Sequence, residues 1–440
     1  MGVFKLKILF NYANDIDKYL KRLFLINRSI TGEGNRETLK ILQEIIPLKI
    51  IEYPSGQKVY DWTIPKEWKI TNAWIKNSKG EKIIDFKENN LHVVSYSTPI
   101  HKKMSFNELK NHLYYLEHLP DAIPYRTSYY NENWGFCLSF NQFKNLNKDE
   151  EYEVFIDSEL FDGSLSIGEF LIEGKSKEEY LISCYICHPS MANDSLSGVL
   201  VTVFLAKELL KIQSELEHSY RIIFVPETIG AIAYLANNEE KMKKIKAGLV
   251  ITTCGGPGSF GYKQSWDKTH WINEMVEDVF KENNINFITY PFDIHGSDER
   301  QYSSLGFRIN CITISKDKYY EYDFYHTSLD NLDFVKPYAL NKSLNLYWQL
   351  IQKMDKNLIY KNLYPNAEVM LSRHDLYPKT GGALLPNQNI SFLDIILEVL
   401  FLSDGKYSLY DVAKKLDTDI ELVYNVAKKL EEKQIIKVVR

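Results

Sequence analysis

The sequence predicts an α/β protein. A three-layer α/β/α core surrounds a mixed, mostly parallel sheet, joined to a β-rich insert and a C-terminal winged helix. Three observations carry this prediction. Between Ile167 and Met354, short apolar runs alternate with segments of helical apolar spacing, the signature of strands and crossover helices. From about Gln57 to Gly163 the pattern changes to short aromatic and β-branched runs between turn-formers. The last 50 or so residues hold three helical periodicities and a short terminal strand.

Taken in chain order, apolar residues recur at helical spacing from Ile16 to Leu25, and Asn27-Arg28-Ser29-Ile30-Thr31-Gly32-Glu33-Gly34 breaks that helix. A second helix, Arg36 to Ile46, stops before Pro47. Candidate strands are Glu169 to Ile172, Tyr180 to Cys187, Tyr220 to Val225, Ala247 to Thr253, Asn286 to Thr289 and Arg308 to Ile314. Candidate helices are Val199 to Leu210, Ala231 to Asn237, Trp271 to Asn283 and Pro337 to Met354. The tail gives helices Phe392 to Leu402, Ser408 to Leu416 and Ile420 to Glu432, then a strand Gln434 to Val439. Residues 1–56 and 164–360 are therefore expected to form the core, 57–163 the insert, 361–384 a Pro-, Gly- and Asn-rich linker, and 385–440 the winged helix.

Composition sets mild bounds. With 440 residues and 45% hydrophobic content, the chain can bury a large core in two or three domains. Its 53 basic and 58 acidic side chains give a net charge of −5, with no electrostatic reason to expect nucleic acid or an anionic membrane as the main partner. The first ten residues have too short an apolar stretch for a signal peptide, and no run reaches the ~18 apolar residues of a membrane span. A cytoplasmic protein is expected. Cys137, Cys184, Cys187, Cys254 and Cys311 lie in apolar segments and suit reduced core thiols. Cys184 and Cys187, three apart on a strand, face opposite sides and cannot readily clamp one ion. The winged-helix segment from Leu385 to Arg440 carries nine acidic and eight basic residues, which favours a dimerisation or docking role, including a homo-oligomer, over DNA contact.

The chemistry concentrates at strand ends. Tyr180 to Cys187 is a continuous apolar run, followed by His188 and Asp194 before a helix; open α/β sheets place ligands at that edge, where the two side chains could share a metal ion. Glu227, in Pro226-Glu-Thr-Ile-Gly230 after the next strand, could serve as general base, or merely complement a helix dipole. His326, in Tyr325-His-Thr-Ser-Leu-Asp330, is a further candidate ligand, with Asp330 expected on its other ring nitrogen. Asp298 and Tyr302, in the loop Gly296 to Tyr302, together with Tyr325 and His295, are candidate substrate contacts. Arg126 and Tyr129, in an aromatic and cationic cluster with Tyr130 and Trp134, could cap the cleft from the insert or pack a core.

This order of motifs resembles the zinc aminopeptidase family of the phosphorylase/hydrolase-like α/β fold, which includes leucyl aminopeptidase and glutaminyl cyclase. Over the whole chain the domain order is similar to a bacterial aminopeptidase-like group with an insert and a C-terminal winged helix, for which a link to polysaccharide biosynthesis is suspected. The resemblance implies a zinc-peptidase-like core in which His188 is the first histidine ligand, Asp194 the metal-bridging carboxylate, His326 the last histidine ligand and Glu227 the general base. It also implies two departures. The second glutamate of the family's pair, a zinc ligand, is Thr228, and the aspartate after the following strand is missing from Leu249 to Gly256. The three remaining ligands suffice for one zinc ion per chain, and Cys254 is a candidate replacement thiolate. The expected function is a single-zinc hydrolase of a peptide or acylamino small molecule. The competing expectations are a non-catalytic zinc- or ligand-binding scaffold and a regulator that uses the winged helix.

Overall fold

The polypeptide alternates between buried strands and the helices that cover them. The computed structural model describes residues 8–377 and 390–439. Its central sheet has eight strands: β1 (Lys49–Pro54), β2 (Ser164–Ile172), β3 (Glu179–Tyr185), β4 (Ser219–Val225), β5 (Ile245–Val250), β6 (Phe260–Lys263), β7 (Phe287–Tyr290) and β8 (Cys311–Lys316). They lie in the order β1-β2-β4-β3-β5-β8-β6-β7. The middle four, β4-β3-β5-β8, are parallel, while β1 and β2 on one side and β6 against β8 on the other are antiparallel.

The helices of the core are α1 (Ala13–Phe24), α2 (Glu33–Leu42), α3 (Gly198–Lys211), α4 (Ile229–Asn237), α5 (Trp271–Glu282) and α6 (Pro337–Asp355). Alternate strand residues feed opposite faces, as a period of two requires. Ile182, Cys184, Leu249 and Ile312 pack with α1, α3, α5 and α6 on one face. Leu181, Tyr185, Val225 and Val250 pack with α4 on the other. Cys184 and Cys187 fall in different clusters, and all five cysteines are buried and free. From β3 the chain passes to β4 on one side and then to β5 on the other, so the carboxyl end of β3 is a topological switch point, where open α/β sheets form ligand crevices.

The insert has its own four-stranded antiparallel sheet, in the order Lys82–Asp85, Glu67–Lys76, Glu151–Phe161, Ile100–Ser105. Its core includes Ala73, Ile75, Ile84, Phe136, Val154 and Ile156. At the C-terminus stand α7 (Phe392–Leu402), α8 (Leu409–Lys415) and α9 (Ile420–Glu432), the first two opened by reciprocal Ser–Asp capping and α9 by Asp419. Their apolar faces continue the cluster of the core rather than forming a separate one.

Some expected elements differ. Strands β1 and β6 were not foreseen, and β2 is longer than the predicted Glu169 to Ile172. Both missed strands lie outside the parallel centre, where a strand needs no continuous apolar run. The expected linker 361–384 begins within structure: Ile359–Asn362 is the middle strand of the C-terminal three-stranded sheet, between Asp404–Ser408 and Ile436–Val438. Leu371–His374 is a further helical turn with Leu371 buried, and residues 378–384 lie outside the described part.

Candidate metal centre and cleft

The carboxyl ends of the parallel strands bring three separated side chains together. His188 follows β3, Asp194 sits in the turn that leads into α3, and His326 lies in the long connection after β8. One ligand atom from each lies within 4.8 Å of the other two. His326 Nε2 is 3.1 Å from Asp194 Oδ2, and His188 Nε2 is 4.0 Å from the same oxygen.

The backbone around these residues is fixed from several sides. Gly198 lets α3 start against β5, for a Cβ there would come within 2.0 Å of the Ile251 carbonyl oxygen. Asp330, fully buried, accepts the amide N–H of Asn193 at 2.6 Å and of Asp194 at 2.9 Å, and the Tyr322 hydroxyl at 2.9 Å. This corrects the expectation that Asp330 orients His326: it holds the Asp194 turn instead. Tyr185, at the end of β3, donates its hydroxyl to Asp194 Oδ1 at 2.5 Å. Arg28, in the segment that breaks the first helix, is buried and donates to the His188 carbonyl from Nε at 3.0 Å and from a terminal nitrogen at 2.8 Å. The insert reaches in as well: the Tyr125 N–H donates to the His326 carbonyl at 2.7 Å, and the Tyr125 ring lies 5.3 Å from the His188 ring and 5.2 Å from that of His326.

Electrostatics prepares these groups for a cation. Burial pushes the His188 imidazole down to about 4, so it is neutral at neutral pH with a lone pair available. Burial alone would raise the Asp194 carboxyl, but the two imidazoles and the Tyr185 hydroxyl outweigh it and hold the group below its ordinary range. His326 Nε2 is buried and faces Asp194 Oδ2, so the two point at each other across the space a shared cation would take. Two imidazoles and a carboxylate suit zinc, whose bonds of roughly 2.0–2.2 Å put tetrahedral ligands about 3.3 Å apart. The residues present therefore fit one such ion after small side-chain adjustment. Cys254 does not join them. It lies in the apolar cluster with its thiol beside Ser197, and burial pushes that thiol up to about 12.

Glu227 follows β4, the neighbour of β3, and its Oε2 lies 3.8 Å from His188 Nε2. Burial, then the nearby Asp298 and Asp194 carboxylates, push its carboxyl well above the ordinary range. Thr228 takes a left-handed backbone with φ 64°. Its N–H donates to Asp298 Oδ1 at 2.7 Å and its hydroxyl accepts from Arg300 at 3.1 Å. Where the family resemblance implies a second zinc-binding carboxylate, this chain has a threonine bonded to a neighbouring loop.

These groups open onto a cleft of about 320 Å³. His188, His326 and Glu227 line one part, Thr228 and Arg300 another, and Trp62, Tyr125, Tyr129 and Tyr130 form aromatic walls. Of the expected substrate contacts, Tyr129 stands in this lining, its hydroxyl 2.5 Å from that of Tyr125. The others do not line it. Asp298 is completely buried behind Thr228, with burial raising its carboxyl to about 7. Tyr302 is buried below the sheet edge, its hydroxyl 2.8 Å from Ser183 Oγ. Tyr325 stacks on the His326 ring at 3.9 Å and supports it. His295 and Arg126 are exposed and outside the lining; Arg126 lies between Tyr125 and Thr127, which both line the cleft, so only its side chain is directed away. Sequence reasoning missed Arg28, for which an arginine at a helix break was the only available signal; it marked the segment Gly296 to Tyr302 but named Asp298 and Tyr302 in it rather than Arg300.

Comparisons with known proteins bear on the family and the fold. Residues 17–357 match the family described as domain of unknown function (DUF4910), and residues 358–438 match a winged helix-turn-helix family. A Clostridium acetobutylicum protein, provisionally named a polysaccharide biosynthesis protein with an aminopeptidase-like domain, is 44% identical over 428 residues, 97% of each chain. A crystal structure of a provisionally assigned peptidase from the same organism superimposes with a TM-score of 0.84 at 43% identity, covering 97% of this chain and 96% of that one. BSAP, a zinc aminopeptidase from Bacillus subtilis, shares the fold at 12% identity with a TM-score of 0.59, covering 80% of this chain and 96% of its own. The chain thus belongs to the DUF4910 family: an aminopeptidase-like α/β core with a winged helix-turn-helix at its C-terminal end.

Proposed function

We propose that the chain is a single-zinc hydrolase of amide bonds, acting on a peptide or an acylamino small molecule. The observation that carries this reading is the convergence of His188, Asp194 and His326 within 4.8 Å of one another, with the Glu227 carboxylate 3.8 Å from His188 Nε2. His188, Asp194 and His326 would hold the ion, which when bound supplies the Lewis acidity that polarises a scissile carbonyl and acidifies water. Glu227 accepts the proton of the attacking water and delivers it to the departing amine, a task for which a raised carboxyl is suited. Tyr125 and Tyr129 limit the entry of bulk water and present flat surfaces to the substrate. The name of the Clostridium relative is consistent with such a reaction in polysaccharide biosynthesis.

Thr228 favours a second reading, a binding protein descended from an enzyme, because it is bonded to Asp298 and Arg300 where the resemblance implies a ligand. Purified protein distinguishes the two. Glu227→Gln is expected to keep wild-type zinc content while kcat/KM toward an amide substrate falls by roughly 10²–10⁴-fold. Zinc bound with no Glu227-dependent turnover on peptide and acylamino libraries would leave the binding protein, and failure to take up zinc would dispose of the hydrolase.

A further inference from the structure

We propose that Arg300 is the anchor for a substrate carboxylate, so that the cleft selects an N-acylated acid rather than a free-amine peptide. This deepens the hydrolase reading and rests on it for the meaning of "substrate". The observation is a half-buried guanidinium in the wall of a cleft, whose charge reaches the Glu227 and Asp298 carboxylates but which has neither of them at ion-pair distance. Its Nε is buried and has no hydrogen-bond partner. One terminal nitrogen donates to Thr228 Oγ1 at 3.1 Å and the other to the Ile294 carbonyl at 3.4 Å. Among the described residues Arg300 forms no ion pair. The other buried or half-buried arginines contrast with it: Arg36 pairs with Glu67 and Glu52, Arg221 with Glu169 and Glu179, and Arg28 is spent on two backbone carbonyls. A guanidinium offers five N–H groups in a planar fork, so donors remain for an incoming group.

The setting favours a carboxylate in particular. The fork matches the two oxygens of a carboxylate, and a partly dry wall strengthens the resulting pair of charge-assisted bonds. Arg300 is placed by its neighbours rather than by chance: Glu299, the preceding residue, is fully buried against Lys263 at 2.8 Å and the Tyr319 hydroxyl at 2.9 Å. Asp298, two residues before Arg300, is held by the Thr228 N–H. The helical turn that carries Arg300, Glu299–Tyr302, is therefore held at its start by Lys263, Tyr319 and the Thr228 backbone. Because Thr228 directly follows Glu227, a carboxylate on Arg300 would lie one short spacer from the bond that Glu227 serves, as in an N-acylamino acid. A substrate ammonium would meet the same positive charge and be disfavoured.

The test is calorimetric titration of the zinc-loaded full chain with N-acetyl derivatives of glycine, alanine, leucine and phenylalanine, each as the free acid and as the methyl ester. At least one acid is expected to bind at least tenfold more tightly than its ester. In Arg300→Gln that preference should shrink to within about twofold, with zinc content and melting midpoint unchanged, and Arg300→Lys should recover part of it. Equal binding of acids and esters by the wild-type protein, absence of any acid binding at millimolar concentration, or an acid preference that survives Arg300→Gln would each overturn the proposal. The wild-type comparison needs no variant to fold. Loss of Glu227-dependent turnover with the acid preference intact would instead remove the hydrolase reading and leave an acid-binding cleft.

Discussion

The carboxyl edge of the sheet and the C-terminal winged helix treat their polar groups in opposite ways. At the sheet edge, Asp298 Oδ2 and Arg300 Nε are buried without hydrogen-bond partners, and Arg300 forms no ion pair among the described residues. Helix α9, the element a winged helix would lay in a DNA groove, is instead paired with the core. Tyr424 donates to Glu217 at 2.7 Å, Lys428 lies 3.4 Å from the same carboxylate, Glu421 pairs with Lys356 and Asp419 lies 3.4 Å from Lys353. From α8, Tyr410 donates to Asp278 at 2.6 Å. An interface that serves the fold satisfies its own donors and acceptors, whereas a site that awaits a ligand leaves some unmet. Helix α9 is thus docked on the core, whereas the sheet edge is where the proposed site would receive a ligand.

The contrast can be broken most severely at the metal ligands. His326→Ala should reduce zinc affinity by more than the roughly 100-fold upper bound for partners behind the ligands, with metal content after dialysis as the measurement. Retention of one zinc per chain would mean that the ion sits elsewhere. Asp330→Asn comes next. It keeps the shape but weakens the acceptor for the Asn193 and Asp194 amides, and zinc affinity is expected to fall about 10–100-fold in a competition titration.

A smaller effect follows from His188. Its folded value is about 4 against 6.5 in the unfolded chain, so between those values the unfolded state binds more protons. Stability of the metal-free protein should therefore rise with pH, with about 2 kcal/mol of this residue's contribution lost between pH 7 and pH 5. Urea unfolding of wild type and His188→Gln at the two pH values measures it: the variant should lose less by about that amount. The smallest change concerns the docking face. Tyr424→Phe removes one hydrogen bond to Glu217 and is expected to cost about 1 kcal/mol without altering zinc content. A simultaneous loss of metal would show that the two regions are not independent.

Much of the site was legible because its chemistry lies at strand ends. The apolar run Tyr180 to Cys187 marked a two-sided strand, and the polar residues directly after it had to fall at the sheet edge. His188, Asp194, Glu227 and His326 could be named for that reason. What eluded sequence reading depended on contacts across long separations. Asp330 bonds to the turn at 193–194 and not to its near neighbour His326. Arg28 is 160 residues from the carbonyl it holds. His295 and Tyr302 lie in one short segment, yet one faces outward and the other is fully buried; a local pattern in an irregular loop does not fix side-chain direction.

By itself the sequence determined the layered α/β class, the insert, the terminal helices and the residue types available at the strand ends. Those follow from apolar periodicity and turn chemistry, which are local and written along the chain. Only the tertiary structure decided which of those side chains meet, that Thr228 is tied to Asp298 and Arg300, and that α9 is docked on the core. Such pairings depend on the order of strands in the sheet and the packing between distant segments, and no local pattern encodes either.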